Sequence, residues 1–220
     1  MVYQVRLLKG ILEPYRSRYQ LQNAEAVTKL RVKLLFLYFL SLIVFAIGGY
    51  FGIGSESFSK EITKMSVNEF EAAKLLILSG NIITGIIDPS IYIFLAALFF
   101  WIVTDIPYIK LVIVQMILFG LQLVEKTLLI PLFVLMDIGS DANPFSLGII
   151  SQYVLRSDYF IHLFSEITIF QFLIIALQYF YLKEFSERNN YLVLLMIVLF
   201  YLATWFVKAF LAYIQVGVFV

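Results

Sequence analysis

Between Lys110 and Met136 the chain reads LVIVQMILFGLQLVEKTLLIPLFVLM, an apolar run that contains Glu125, Lys126 and Pro131. About 20 apolar residues suffice to cross a bilayer as a helix, so this run predicts a membrane span carrying charge at a depth where charge is expensive. The rest of the chain has the same character: 62% of its residues are hydrophobic and 14% charged, with a mean hydropathy of +0.93. Soluble domains are about a quarter charged. The expected fold is therefore an all-α polytopic membrane bundle. Its 220 residues leave room for one membrane domain, residues 34–220, behind a polar segment, residues 1–33.

Five spans are expected, at about 34–53, 75–104, 110–136, 159–182 and 191–219. The segment before them carries Arg6, Lys9, Arg16, Arg18, Lys29, Arg31 and Lys33 against Glu13 and Glu25. No signal peptide is expected, because the first apolar run begins only near Leu34. Val2, Val5, Leu8, Ile11 and Leu12 recur at helical spacing, which suits either a helix lying on an anionic membrane face and ending at Pro14, or a disordered basic tail. In the first span Gly48, Gly49 and Gly52 sit where a neighbouring helix can approach closely, or are simply tolerated there. A polar loop follows, with a short amphipathic helix expected around Val67 to Lys74.

Residues 75–104 form two apolar halves flanking Asp88-Pro89, the first too short to cross alone. They are expected to make one crossing, broken at Pro89, where a backbone donor is missing and the ring disfavours continuous helix. Asp137, Asp141 and Asn143 follow the central span. They lack the spacing and terminal glutamate of an EF-hand loop, and a solvated loop is the simpler reading. Phe145 to Leu155 is expected as a helix on the outer interface.

The order of elements, with GILEPYRSRY in the N-terminal segment and NPFSLGIISQYVLRSDYFIHLFSEITIFQFLIIALQYFYLKEF leading through SERNN into the last span, resembles the YIP1 family of five-span membrane proteins in its bacterial branch. The resemblance is one of pattern, strongest from Asn143 to Leu211. The chain departs from the family in having Tyr181-Leu182-Lys183-Glu184-Phe185 where a glycine-containing turn is frequent, and it lacks the long cytosolic extension of eukaryotic members. The resemblance implies a non-enzymatic helper. Eukaryotic members act in vesicle traffic with small GTPases, and some bacterial members accompany ABC-type exporters that confer resistance to toxic peptides. It carries over no catalytic residue.

Charge sorting sets an orientation independently. With the N-terminus inside and five crossings, ten Lys and Arg fall inside and four outside, while Lys126 and Lys208 lie within spans. This agrees with the positive-inside rule and puts the C-terminus outside a cell membrane. Counted from the inner ends of their spans, Asp88, Glu125, Glu166 and Lys208 lie 15 to 17 residues up, or roughly 22 to 26 Å. They share one layer of the outer half, with Lys126 beside Glu125 and His162 one turn beyond Glu166. These charges either snorkel to the headgroups or form a polar cluster among spans two to five. The short stems of Asp and Glu favour the cluster, with Glu166 and Lys208 as neighbours across a short turn.

Enzyme chemistry has no support in the residue inventory. A single histidine and no cysteine exclude the common zinc and thiol sites, and no Walker A, dinucleotide or G-x-S-x-G pattern occurs. No catalytic, metal or cofactor residue is expected, and the basic residues suit lipid phosphates rather than nucleic acid. Expected partners are membrane lipids, other membrane proteins such as an ABC transporter complex, and a second copy of the chain. Two functions remain: a helper subunit of a membrane complex, or a small permease or ion pathway through the polar layer. A pathway needs polar residues in the inner halves too. Runs such as LVIVQMILFG offer only Gln115 and Gln122 there, which favours the helper.

Overall fold

The computed structural model describes residues 2–54, 67–136, 138–139 and 142–218. The chain is 81% helical. Four helical stretches are long and apolar enough to cross a membrane: Leu30–Tyr50, Glu69–Val103, Tyr108–Met136 and Asn190–Ile214.

The first 28 residues are neither a single surface helix nor a tail. β1 (Val2–Gln4), α1 (Leu7–Leu12), α2 (Pro14–Gln22) and β2 (Ala26–Thr28) form a small unit in which the two strands pair in parallel, Tyr3 opposite Val27. Pro14 opens α2 instead of ending a longer helix, since at the first helical position its missing N–H would have had no partner anyway. Tyr3, Val5 and Leu21 are buried, and the Tyr3 hydroxyl meets Ser17 Oγ at 2.9 Å. The unit is docked on one end of the bundle, hereafter the capped end. Gly10 makes the close approach: a Cβ there would lie 2.6 Å from Ile117 Cδ1. The buried Tyr181 hydroxyl donates to the Gly10 carbonyl at 2.9 Å, and Lys110 donates to the Gln22 carbonyl at 2.7 Å. Arg18 pairs with Glu184 at 3.3 Å and lies over the Phe180 ring.

α3 (Leu30–Tyr50) runs from this end and packs along α4 (Val67–Ser90). The residues 67–74, expected as a separate amphipathic helix, are the first turns of α4. Two glycines bring α3 and α4 together. A Cβ on Gly49 would lie 2.8 Å from Asn81 Cβ, and one on Gly85 would lie 3.1 Å from the Leu42 Cα. Gly48 has open space around it, and Gly52 turns the chain out of the helix with a φ of 71°. Of Gly48 and Gly49, it is Gly49 that makes the close helix contact.

The break expected at Asp88-Pro89 is absent. α4 continues through Pro89 into a π-helical turn (Ile91–Leu95) and α5 (Ala96–Val103), so residues 69–103 form one helical stretch of 35 residues, about 52 Å long. The helix carries the proline without breaking, and a π-helical turn follows it directly. Ser90 ties this stretch to its surroundings: its hydroxyl donates to the Ile86 carbonyl at 2.9 Å and meets the Tyr38 hydroxyl of α3 at 2.6 Å.

α6 (Tyr108–Met136) is the central column. Every residue from Leu111 to Phe119 is buried, so this half is enclosed on all sides, as expected for a helix that is apolar all round. α1, α3, the π-turn, α5 and α9 (Ile169–Phe185) pack against it, and α10 (Asn190–Val218) closes the bundle beside α9. Rings of Phe99 and Phe100 pack on Phe200 at 4.9 and 5.1 Å, joining α5 to α10. At the capped end Asp105 accepts from the Ser186 hydroxyl at 2.7 Å and from the Glu187 N–H at 2.9 Å. Those two bonds hold its carboxyl below the ordinary carboxylate range.

The segment expected as one span at 159–182 is interrupted. α8 (Asp158–Ser165) and α9 are separate helices joined through Glu166, Ile167 and Thr168, preceded by the short α7 (Gly148–Val154) in place of the expected interfacial helix from Phe145 to Leu155. At 17 residues α9 is shorter than the four long stretches.

The glycine contacts predict a graded response. Gly85→Val should lower the unfolding temperature in detergent, by the equivalent of about 1 to 3 kcal/mol for overpacking against a backbone atom that cannot move aside. Gly48→Ala should leave it unchanged. Equal effects at the two sites would show that the α3–α4 packing is misassigned.

Candidate functional site

The charges of the layer come together because three elements reach the same level. Lys126 lies 18 residues from the start of α6, Lys208 lies 18 from the start of α10, and Asp88 lies 15 from the end of α5, or roughly 22 to 27 Å from the capped end. Asp88 accepts from Lys126 Nζ at 3.3 Å. The same ammonium sits 3.9 Å from the Phe45 ring centroid, so α3, α4 and α6 meet at one lysine. Lys208 Nζ donates to Glu166 at 3.1 Å, joining α10 to the interruption after α8. His162, partly buried on α8, lies a turn before Glu166, whose N–H donates to the His162 carbonyl at 3.3 Å.

Glu125 occupies the space between these pairs. It is 5% exposed and faces Thr168 on the neighbouring segment. Thr168 is the pivot of the interruption. Its side chain accepts from the Gln171 N–H at 3.1 Å and so caps α9. The loop before α7 runs antiparallel to this stretch: Leu147 N–H donates to the Ile167 carbonyl at 3.0 Å and Ile169 N–H to the Phe145 carbonyl at 2.9 Å. The backbone groups left by the interruption are satisfied by this folded loop.

That loop is itself braced. Asn143 accepts from the Phe145 N–H at 2.9 Å and from the Ser146 hydroxyl through its carbonyl at 2.9 Å, and the Ser146 oxygen accepts from the Gly148 N–H at 3.1 Å. Asn143 is therefore a loop-forming residue. Asp137 and Asp141, the other two members of the acidic stretch, lie outside the described residues. Among the described residues no group of three or more His, Cys, Asp or Glu is placed to hold a metal.

Both ion pairs are partly open at the side of the bundle. The Lys126 and Asp88 side chains are 33% and 24% exposed, and those of Lys208 and Glu166 are 43% and 33% exposed. Beside Lys126 a groove of about 200 Å³ runs between α3, α4 and α6, lined by Phe45, Gly48, Asn81, Leu129 and Phe133 among others.

Sequence reasoning places Asp88, Glu125, Glu166 and Lys208 at one level, with Lys126 beside Glu125 and His162 one turn beyond Glu166, but overlooks Thr168 and the loop over residues 143–147. The signal was present. Thr168-Ile-Phe-Gln171 is a T-x-x-Q capping box, which marks a helix start inside what hydropathy reads as one continuous run. It also overlooked polar groups nearer the capped end. Beyond Gln115 and Gln122, the bundle buries Ser41, Tyr92, Gln178, Tyr201 and Trp205, so the inner halves are not nearly free of polar atoms. Tyrosine and tryptophan count as apolar in a hydropathy sum while still carrying a hydroxyl or an N–H.

The Glu166–Lys208 pair predicts coupling. Glu166→Gln or Lys208→Met alone should lower thermal stability in detergent, and the double variant should recover part of the loss, with an interaction energy of about 0.5 to 3 kcal/mol. Additive single effects would mean that each side chain is solvated independently.

Compared with known proteins, the chain matches no family model, no curated protein and no solved structure.

Proposed function

We propose that the chain is a five-span protein of the cell membrane, with its N-terminus inside and its C-terminus outside, that serves as a non-enzymatic helper binding and supporting a membrane complex. The ten-to-four distribution of basic residues supports the orientation. α8 and α9 together supply the fifth crossing. The helper reading rests on one observation: two intramembrane ion pairs are partly exposed at the side of the bundle, one of them beside a groove with open space at Gly48.

A charge pair left half open in hydrocarbon is costly, and a neighbouring helix offering a polar group would cover it. The docked N-terminal unit supports the same reading, because it closes the capped end through Gly10, Tyr181 and Lys110, where a solute permease would have to open. An ABC-type exporter giving resistance to toxic peptides is the complex that the YIP1-like pattern suggests.

Extraction in mild detergent followed by affinity capture tests this reading. The expected result is a stoichiometric membrane partner containing an ATP-binding exporter subunit, retained by the native chain and weakened by Lys126→Met. Elution of the native chain alone, at the mass of one chain with its detergent and lipid, would contradict it.

A further inference from the structure

Among the described residues seven buried side-chain polar atoms have no hydrogen-bond partner, and four of them are Gln115 Nε2, Gln122 Oε1, Gln178 Nε2 and the Tyr92 hydroxyl, on or around the central helix. They are not scattered. At 100° per residue Gln115, Gln122 and Glu125 fall within about 80° of one another on α6, forming a polar stripe on an apolar helix. Tyr92 faces this helix from the π-turn, its ring centroid 5.5 Å from that of Phe119. Tyr201 on α10 donates to Gln178 Oε1 on α9 at 2.6 Å. One turn closer to the capped end, Tyr181 reaches the Gly10 carbonyl and lies near Ser17, which meets Tyr3.

Polar atoms buried in this way are ordinarily satisfied by internal water, and leaving them bare in a membrane interior is expensive. At the other end of the string the layer contains three carboxyls, Asp88, Glu125 and Glu166, and two lysines, Lys126 and Lys208. Each lysine is bonded to an acid other than Glu125. Glu125 is thus the carboxyl left without a lysine bonded to it, buried in the bundle and facing Thr168. π-turns recur at functional sites because the extra residue re-aims side chains, and here the turn carries Tyr92.

We propose that the bundle holds a chain of internal waters along this stripe and that protons pass through it between Glu125 and the Tyr181–Ser17–Tyr3 cluster of the N-terminal unit. Each water or hydroxyl accepts one proton on its oxygen and releases another from its far side, so one proton crosses and no group is left altered. Asp88 and Tyr92 from the long α4–α5 stretch, Lys126 from α6, Glu166 at the interruption, and Lys208 and Tyr201 from α10 are the titratable groups surrounding Glu125. The inference concerns the core and not the lateral face, so it and the helper reading can each fail alone.

The test uses the purified full chain in vesicles of phosphatidylethanolamine and phosphatidylglycerol with a trapped pH dye and a potassium diffusion potential set by valinomycin. The native chain should carry protons faster than protein-free vesicles. Glu125→Gln and Tyr201→Phe should return the rate to that of protein-free vesicles, while substitution of the exposed Leu135 by Ala should not. Tyr201→Phe removes only a hydroxyl and keeps the test sound should Glu125→Gln fail to fold. A native rate equal to that of empty vesicles, or a rate unchanged in both core variants, would overturn the proposal.

Discussion

Glu125 stands on a helix whose half nearest the capped end is buried on every side, and the arrangement around it centres on satisfying that carboxyl. The neighbouring lysine turns away, toward Asp88 and the Phe45 ring. The acid is buried and faces Thr168, the residue that caps α9 where the helices are interrupted. An interruption exposes backbone groups, and those groups require the folded loop that carries Phe145 and Leu147. The buried Glu125 carboxyl thus stands where the interruption, the loop and the Glu166–Lys208 pair meet.

The long apolar runs were legible, as were the depths of the charges, because both follow from counting residues along helices of fixed rise. The interruption lies before Thr168 and not at Asp88-Pro89. Asp88-Pro89 breaks the local rule for helices, yet the helix continues through it into a π-helical turn. Thr168 obeys a local capping rule, and that rule was hidden beneath an unbroken hydropathy signal. The N-terminal unit was illegible for a different reason. Its two strands are three residues each and pair across 21 intervening residues, so no periodic pattern announces them, and what holds the unit in place is Gly10 against Ile117 and Tyr181 from far along the chain.

The polar content of the core was underestimated because the residues supplying it are aromatic. Tyr92, Tyr181 and Tyr201 add to the apolar area that packs the bundle, and each sets a hydroxyl among buried groups. Aromatic rings with a polar handle pack and hydrogen-bond at once. The result is a bundle with two separable features: paired charges opening sideways near a groove, and a line of polar atoms running along its axis toward the N-terminal unit.

All of this depends on α8 and α9 crossing the membrane together as one interrupted span. The chain contains no cysteine, so single cysteines report position without a background. Ser157→Cys before α8 and Glu187→Cys after α9, each treated in sealed cells or inside-out vesicles with a membrane-impermeant maleimide, measure the crossing directly. The account predicts labelling from opposite sides, Ser157→Cys from outside and Glu187→Cys from inside. Labelling of both from the same side would show that the segment re-enters instead of crossing, and would contradict it.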